Sequence, residues 1–181
     1  VPTSVGYGAS FSGLAALLLT SKNPAIIAGD DVARSGGEQV LVALTEAIGA
    51  TVWFEGLRHH ASFPTGQPSY RQSLPGDARQ VRKALGDTDL VLLVGGPFFE
   101  DIWFAPGGHM ADGVPLLQIE ASAERLALNN RLDAGIVGDI AVSLRTLTEA
   151  LHAKAGADFR QAAQSRNAAL AELQASEKEA Y

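Results

Sequence analysis

Short runs of aliphatic residues constrain the fold of this chain more than any other feature. They read "AIIAG" over residues 25–29, "DLVLLVGG" over 89–96 and "VPLLQIE" over 114–120. None of the three runs alternates between apolar and polar residues, as a strand with one solvated face would. Strands that are apolar on both faces are typical of a parallel sheet that is covered on both sides. The runs therefore predict a buried parallel sheet.

Segments with helical periodicity lie between these runs. Apolar residues recur at helical spacing in residues 11–18, 38–48, 78–85 and 140–151, and shorter strand-like runs occupy 51–56 and 134–139. Asp77 and Asp139 precede the last two helical segments and predict N-caps. Strands that alternate with amphipathic helices predict an α/β fold: a doubly wound, mainly parallel and Rossmann-like sheet of five or six strands.

The length and the change in pattern along the chain predict one main domain with an extension at each end. We expect a connector helix in residues 1–22, a central α/β domain in 23–155, and a helix or linker in 156–181. The chain begins at Val1, and Met110 is its single methionine. We therefore expect that it is a segment of a longer protein.

Composition excludes several functional classes. The net charge of −6 argues against nucleic-acid binding. The absence of cysteine excludes disulfides and thiolate metal sites. The longest apolar run, 14–19, is far shorter than the roughly 20 residues that cross a bilayer, so we expect no membrane interaction. These features fit a cytoplasmic protein.

The carboxyl ends of the predicted strands carry the candidate ligand site, because open α/β sheets bind ligands there. The candidates for a nucleotide site are Gly29, Asp30, Gly95, Gly96, Glu120 and Asp139. Glycines could admit a phosphate, and an acid could accept hydrogen bonds from a ribose. However, "AGDDVARSGG" lacks G-x-G-x-x-G spacing, and Asp30 and Asp31 would repel a pyrophosphate. Ordinary turn and capping chemistry is the alternative, and the spacing favours it.

No set of residues predicts a catalytic or metal centre. Acids at positions 30, 31, 101 and 112 show no spacing that would bring them together around a cation. His59 and His60 are adjacent, so in an extended segment they would point to opposite faces. His109 and His152 have no evident partner in the sequence, and no nucleophile elbow or P-loop is present.

Two connecting segments are unusual. "HHASFPTGQPSYRQSLP", residues 59–75, contains three prolines and no clean period, and "PFFEDIWFAPGG", 97–108, contains four large aromatic residues. Long connections without structure are uncommon and often functional. The aromatic side chains must be buried, either on the core of this domain or against another domain. The sequence leaves both alternatives open.

Taken in order, the runs "NPAIIAGDDV", "TVWFEG", "FPTGQPSYR", "DTDLVLLVGGPFF", "FAPGG" and "LLQIE" resemble the central domain of thiamine diphosphate-dependent decarboxylases and synthases, such as the benzoylformate decarboxylase and acetolactate synthase families. The resemblance covers about residues 23–153. It implies a central structural domain of a 2-oxo acid decarboxylase, a carbon–carbon lyase, between a pyrimidine-binding and a diphosphate-binding domain. Under this resemblance, the loop residues Phe63, Tyr70 and Arg71 would contact those neighbours.

The resemblance also implies where the cofactors belong. Thiamine diphosphate and Mg²⁺ would be held in the parent enzyme, a homodimer or homotetramer, by a Gly-Asp-Gly motif and a downstream Asn-Asn. This chain has no Gly-Asp-Gly, and Asn129-Asn130 lies at the wrong place in the fold. We therefore expect that the chain alone neither binds thiamine diphosphate nor catalyses a reaction.

Members of this family differ in what their central domain binds. Some hold FAD, some hold ADP, and some are empty; the absence of glycine-rich spacing here favours an empty domain. Ile102 occupies the position from which benzoylformate enzymes send a histidine into the active site, which makes benzoylformate itself a doubtful substrate. A free-standing nucleotide-binding module and a module for oligomerisation remain alternatives.

Overall fold

The computed structural model of the chain describes residues 10–100 and 106–179. They form a six-stranded sheet in the order β3-β2-β1-β4-β5-β6, in which all neighbouring strands are parallel. The strands are β1 (Pro24–Ala28), β2 (Thr51–Phe54), β3 (Tyr70–Ser73), β4 (Leu90–Val94), β5 (Leu116–Glu120) and β6 (Ala134–Val137). The helices are α1 (Phe11–Leu18), α2 (Asp30–Arg34), α3 (Glu38–Ile48), α4 (Ala78–Leu85), α5 (Ile140–Lys154) and α6 (Ala157–Glu179).

The predicted doubly wound, parallel and Rossmann-like sheet is confirmed. Every residue of β1, β4 and β5 is buried, as their unbroken apolar runs predict. Ile27 of β1 lies in register between Trp53 of β2 and Leu93 of β4. From β1 the chain adds β2 and β3 on one side of the sheet, and it then adds β4, β5 and β6 on the other side. The strand order therefore reverses between β1 and β4, which makes this pair the topological switch point.

The two faces of the sheet are covered differently. On one face, apolar side chains of α1, α3 and α5 pack into the larger core cluster. On the other face, the described covering consists of α4 and of connecting segments that contribute Phe98, Phe99 and Leu132. The second face thus depends on loops for its burial, which explains why two of the aromatic residues of segment 97–108 are needed there.

The unusual segment 59–75 contains one strand of the sheet that the sequence did not predict. Its residues Tyr70–Ser73 form β3 at the edge of the sheet, where they are only partly buried, and an edge strand of this kind carries no apolar run. Phe63 lies in the larger core with 2% exposure, and the Tyr70 ring packs 4.8 Å from that of Phe54. Much of this segment therefore packs against its own domain.

The terminal helices also pack on the domain. Leu14 and Leu18 of α1 are fully buried in the larger core. In α6, Arg166 donates a hydrogen bond to the carbonyl of Ile48 at 2.8 Å, near the end of α3. Gly49 allows this contact, because a Cβ there would lie 2.7 Å from the Ala163 carbonyl oxygen. The boundaries that we drew at 22/23 and 155/156 stay predictions.

Among the described helices, none is both long enough and apolar enough to cross a bilayer.

Candidate functional site

The candidate glycines meet at the carboxyl ends of β1 and β4. The amide of Gly29 donates to the carbonyl of Val94 at 2.9 Å, and the amide of Asp31 donates to that of Gly95 at 2.8 Å. A Cβ on Gly29 would lie 2.5 Å from the Gly95 oxygen and 2.9 Å from Gly96 Cα. The close approach of two backbone turns therefore requires glycine at position 29, with no ligand involved.

Backbone amides hold the carboxylate of Asp30. It accepts hydrogen bonds from the amides of His59 and His60, both at 2.9 Å, and Arg34 lies 3.5 Å away. Burial would raise the pKa of Asp30, but these amide bonds and the charge of Arg34 outweigh burial and hold it below its ordinary value. Asp30 thus fixes the loop after β2 to the switch point.

Two further acids at this edge, Asp31 and Glu120, share one guanidinium. Arg125, from the segment after β5, donates to Glu120 at 2.8 Å and also to Asp31. Arg34 forms a second ion pair with Asp31 at 2.8 Å. Glu120 is fully buried; burial raises its pKa, while Arg125 opposes that shift. A cation of the chain itself therefore fills the space between the two carboxylates.

Asp139 has a different role. Its side chain accepts a hydrogen bond from the amide of Val142 at 2.9 Å, and it is the N-cap of α5, as the sequence predicts. The structure thus brings the candidates from β1, β4 and β5 to one edge of the sheet. In that arrangement the carboxylate of Asp139 forms its hydrogen bond with its own helix, α5.

The remaining candidates do not converge on a metal. Within residues 10–100 and 106–179, no three His, Asp or Glu side chains come together in a way that could hold a metal ion. His59 and His60 are exposed, whereas the His109 ring stacks on Phe99 with centroids 4.2 Å apart. The predictions that concern Asp101, Ile102, Trp103 and Phe104 lie outside the described residues.

Sequence reasoning missed Glu55, which directly follows β2. Burial raises its pKa to about 7, the negative charge of Glu100 adds to that shift, and hydrogen bonds from the amides of Phe99 and Gly56 oppose it. Its Oε2 atom is buried without a hydrogen-bond partner. Phe99, which donates to it, has a φ of +58°, a strained value for a residue other than glycine. An acid directly after a strand was the available signal, as for Glu120.

Sequence reasoning also missed Arg125. It lies in a segment of irregular structure five residues after β5, and nothing in its neighbourhood predicts a contact with Asp31, which is 94 residues away. The arrangement of acids around this guanidinium can neutralise charge and hold loops.

Comparisons with known proteins agree on one type of domain. The family model described as "Thiamine pyrophosphate enzyme, central domain" matches residues 11–147. A benzoylformate decarboxylase of Pseudomonas aeruginosa is 33% identical over 132 residues, which are 73% of this chain and 25% of that protein. The chain therefore spans about a quarter of the length of this relative.

Solved structures give the same result. The structure of a Mycobacterium smegmatis protein described as a thiamin diphosphate-dependent enzyme superposes with a TM-score of 0.72 at 31% identity, covering 78% of this chain and 27% of that one. Benzoylformate decarboxylase from Polynucleobacter necessarius superposes with a TM-score of 0.72 at 25% identity, covering 78% and 26%.

Proposed function

The chain belongs to the thiamine pyrophosphate enzyme family as a central domain, and from this membership we propose that it is the structural middle domain of a benzoylformate decarboxylase-like 2-oxo acid decarboxylase. In this role the domain is not catalytic alone. It joins a pyrimidine-binding domain and a diphosphate-binding domain of the same parent enzyme.

The observation that carries this proposal is the closed carboxyl edge of the sheet. Arg125 lies between Asp31 and Glu120, and the turn at Gly29 is packed against the turn at Gly95. A flavin or ADP at the site proposed from Gly29, Asp30, Gly95, Gly96, Glu120 and Asp139 would have to displace this ion-pair network. We therefore propose an empty domain in preference to a FAD-binding, ADP-binding or free-standing nucleotide module.

The family implies thiamine diphosphate, and its diphosphate requires a hard cation with several converging oxygen ligands. The carboxylates at the carboxyl edge do not fit this group, since Asp30 accepts the amides of His59 and His60, and Asp31 and Glu120 pair with Arg125; within residues 10–100 and 106–179 no three acidic or histidine side chains come together as metal ligands. We propose that thiamine diphosphate and Mg²⁺ bind to the flanking domains of a cytoplasmic homodimer or homotetramer. No step of the reaction is assigned to residues of this chain.

The test compares this chain with the same chain joined to the sequence that flanks it in its gene. We expect the longer protein to release CO₂ from aromatic 2-oxo acids only when thiamine diphosphate and Mg²⁺ are added. Because the resemblance places Ile102 where benzoylformate enzymes carry a histidine, the assay should include substituted and aliphatic 2-oxo acids. The 181-residue chain should fold, as circular dichroism would show, yet bind neither the coenzyme nor ADP in calorimetry.

Two results would contradict the proposal. Decarboxylation by the 181-residue chain would place the catalytic groups within it. A flavin absorbance band that accompanies the purified chain would favour the FAD-binding alternative.

A further inference from the structure

Two consecutive helices, α5 and α6, are attached to the domain very differently. In the 15-residue α5, seven residues are buried, and Leu144, Leu147 and Leu151 lie in the larger core. In the 23-residue α6, all of whose residues are described, Ala163 is the only buried one, and Phe159 is partly buried against the core. Burial of an apolar face supplies most of the stability of a docked helix. We therefore expect α6 to be held much more weakly than α5.

Polar side chains make the principal contacts of α6. Arg166 donates to the carbonyl of Ile48 and Asn167 to that of Glu46, both at 2.8 Å. These carbonyls belong to the last turn of α3, where a helix has no partners of its own for them, so α6 caps α3 from 118 residues further along the chain. Such bonds are exchanged for bonds to water when a helix detaches, and each therefore adds little net stability.

Docking of α6 also has a cost at Arg166. Its Nε atom is buried without a hydrogen-bond partner among the described residues. Burial lowers the pKa of Arg166, and the charge of Asp89 opposes that shift. A buried donor without a partner has lost its bond to water, which offsets part of what the capping bonds contribute.

The contact between α6 and the domain is incompletely filled. A cleft of about 280 Å³ lies between α6 and the loop before β3, and it is lined by residues 67–69, Glu46, Asn167 and Leu170. A second cleft, of about 170 Å³, lies where Phe159 faces the ends of α3 and α5. Tightly packed contacts leave few gaps of this size. The clefts thus agree with the small buried surface of α6.

The connection between α5 and α6 can serve as a hinge. It consists of Ala155, whose backbone is extended, and Gly156. No described atom beyond the neighbouring residues lies within 4 Å of the place where a Cβ on Gly156 would stand. The backbone of Gly156 is therefore not fixed by packing, and a change of its dihedral angles could move α6 as one body.

We infer that α6 is a reversible strap, which docks by capping α3 and detaches as a unit about residues 155–156 while the sheet and α1–α5 stay folded. Opening of such a weakly buried element requires much less free energy than unfolding of the domain. In the docked state the strap fixes the direction in which the chain leaves the domain, and in the open state it frees the carbonyls of Glu46 and Ile48. The motion requires no flanking domain and no reaction, so it goes beyond the proposed function and does not depend on it.

The first test uses the 181-residue chain, which has no cysteine, so a single introduced thiol reports on one position. Ala163→Cys, at a site that is 2% exposed, should react with a thiol reagent about a hundredfold faster than Ala15→Cys, at a fully buried site of α1. The first reaction should depend little on urea, because the open strap exposes little surface, whereas the second should follow global unfolding. In the chain without substitutions, amide hydrogen exchange should be about tenfold or more faster in α6 than in the middle of α5.

Two pairs of variants test the contacts that hold the strap. Ala163→Leu places a larger side chain where α6 lies against Gly49, and it should accelerate exchange in α6 about tenfold without changing exchange in α5. Ala168→Leu, at an exposed position of the same helix, is the matched control. Asn167→Ala removes a capping bond and should accelerate exchange in α6 severalfold although alanine favours helix, whereas the exposed Gln161→Ala should not.

Equal reaction rates of the two thiols, with the same dependence on urea, would overturn the inference, because α6 would then open only when the whole domain unfolds. Exchange in α6 as slow as in α5 would overturn it as well. Equal effects within either pair of variants would show that the buried contact or the cap does not hold the helix, and would also overturn it. None of these measurements involves CO₂ release, so their failure is distinguishable from a failure of the proposed function.

Discussion

The amino and carboxyl edges of the sheet both bury carboxylates, but they satisfy them differently. At the amino edge, Asp89 precedes β4 and accepts hydrogen bonds from the amides of Lys22 and Asn23, at 2.7 and 2.9 Å, and from the Ser21 hydroxyl. One acid thereby closes the connection from α1 to β1. At the carboxyl edge, Asp30, Asp31 and Glu120 are held by Arg34 and Arg125 in addition to backbone amides, and Glu55, which follows β2, accepts only backbone amides among the groups that act on its pKa.

This contrast appears in the pKa values. Burial would raise the pKa of Asp89, but the hydrogen bonds from Ser21, Lys22 and Asn23 outweigh burial and lower it. At the carboxyl edge, burial dominates for Glu55 and Glu120 and raises their pKa. The comparison teaches that hydrogen bonds to the charged form outweigh burial at Asp89, whereas burial outweighs the compensating groups at Glu55 and Glu120.

The largest expected effect comes from removal of the shared cation. Arg125→Ala leaves Asp31 and Glu120 without their common partner and should lower the free energy of unfolding by about 4 kcal/mol, as for other broken buried ion pairs. Urea unfolding at neutral pH would measure this. Arg131→Ala, at an exposed arginine of the same segment, should change stability little. Equal effects of the two variants would show that the ion-pair network at the carboxyl edge contributes nothing to the free energy of unfolding.

A smaller effect should follow from Glu55, and it depends on pH. The folded state raises the pKa of Glu55 from 4.5 to about 7, so it binds this proton more tightly than the unfolded state does. The associated stability is present below about pH 4.5 and is lost as the pH rises to about 7, with a total of about 3 kcal/mol.

Glu55→Gln keeps the neutral form and should therefore be more stable than the parent sequence at pH 8, by up to this amount, and similar to it at pH 4. Thermal or urea unfolding across this range would test the prediction. The exposed Glu124→Gln serves as the control. A difference that does not change with pH would refute the assignment of the titration to Glu55.

The smallest of these effects should arise at the amino edge. Asp89→Ala removes one charged acceptor and three hydrogen bonds, and should cost about 2 kcal/mol at neutral pH. Because the pKa of Asp89 is lowered in the folded state, its contribution is present above its unfolded value of 3.8 and is lost as the pH falls further. Its pH dependence is thus opposite in sign to that of Glu55.

Asp87→Ala provides the comparison at the amino edge, since Asp87 is exposed and accepts a bond from the Asn23 side chain at 3.0 Å. It should cost well under 1 kcal/mol. Unfolding of both variants in urea at pH 7 would test this order. If Asp89→Ala is no more costly than Asp87→Ala, the closure of the amino edge does not depend on its carboxylate.

Much of the fold was predictable because its signals are local. The unbroken apolar runs of β1, β4 and β5 predict a sheet that is covered on both faces. Asp77 accepts the amides of Arg79 and Gln80, and Asp139 that of Val142, as N-caps predicted from one residue and its neighbours. Strand β3 was not predicted, since an edge strand of half-buried polar residues has no apolar period.

The sequence by itself thus determined a parallel sheet and five of its six strands, because periodicity and caps are read within a few residues, and the ordered set of short runs indicated the family. The tertiary structure decided what occupies the carboxyl edge. The residues Asp31, Glu120 and Gly29 are compatible either with an open ligand site or with a closed network of ion pairs and backbone contacts. Which of the two forms depends on Arg125, which reaches Asp31 from 94 residues away, and on the turn at Gly95 that fills the space above Gly29. Charge neutralisation and close backbone packing depend on distances in space, and no local pattern encodes them.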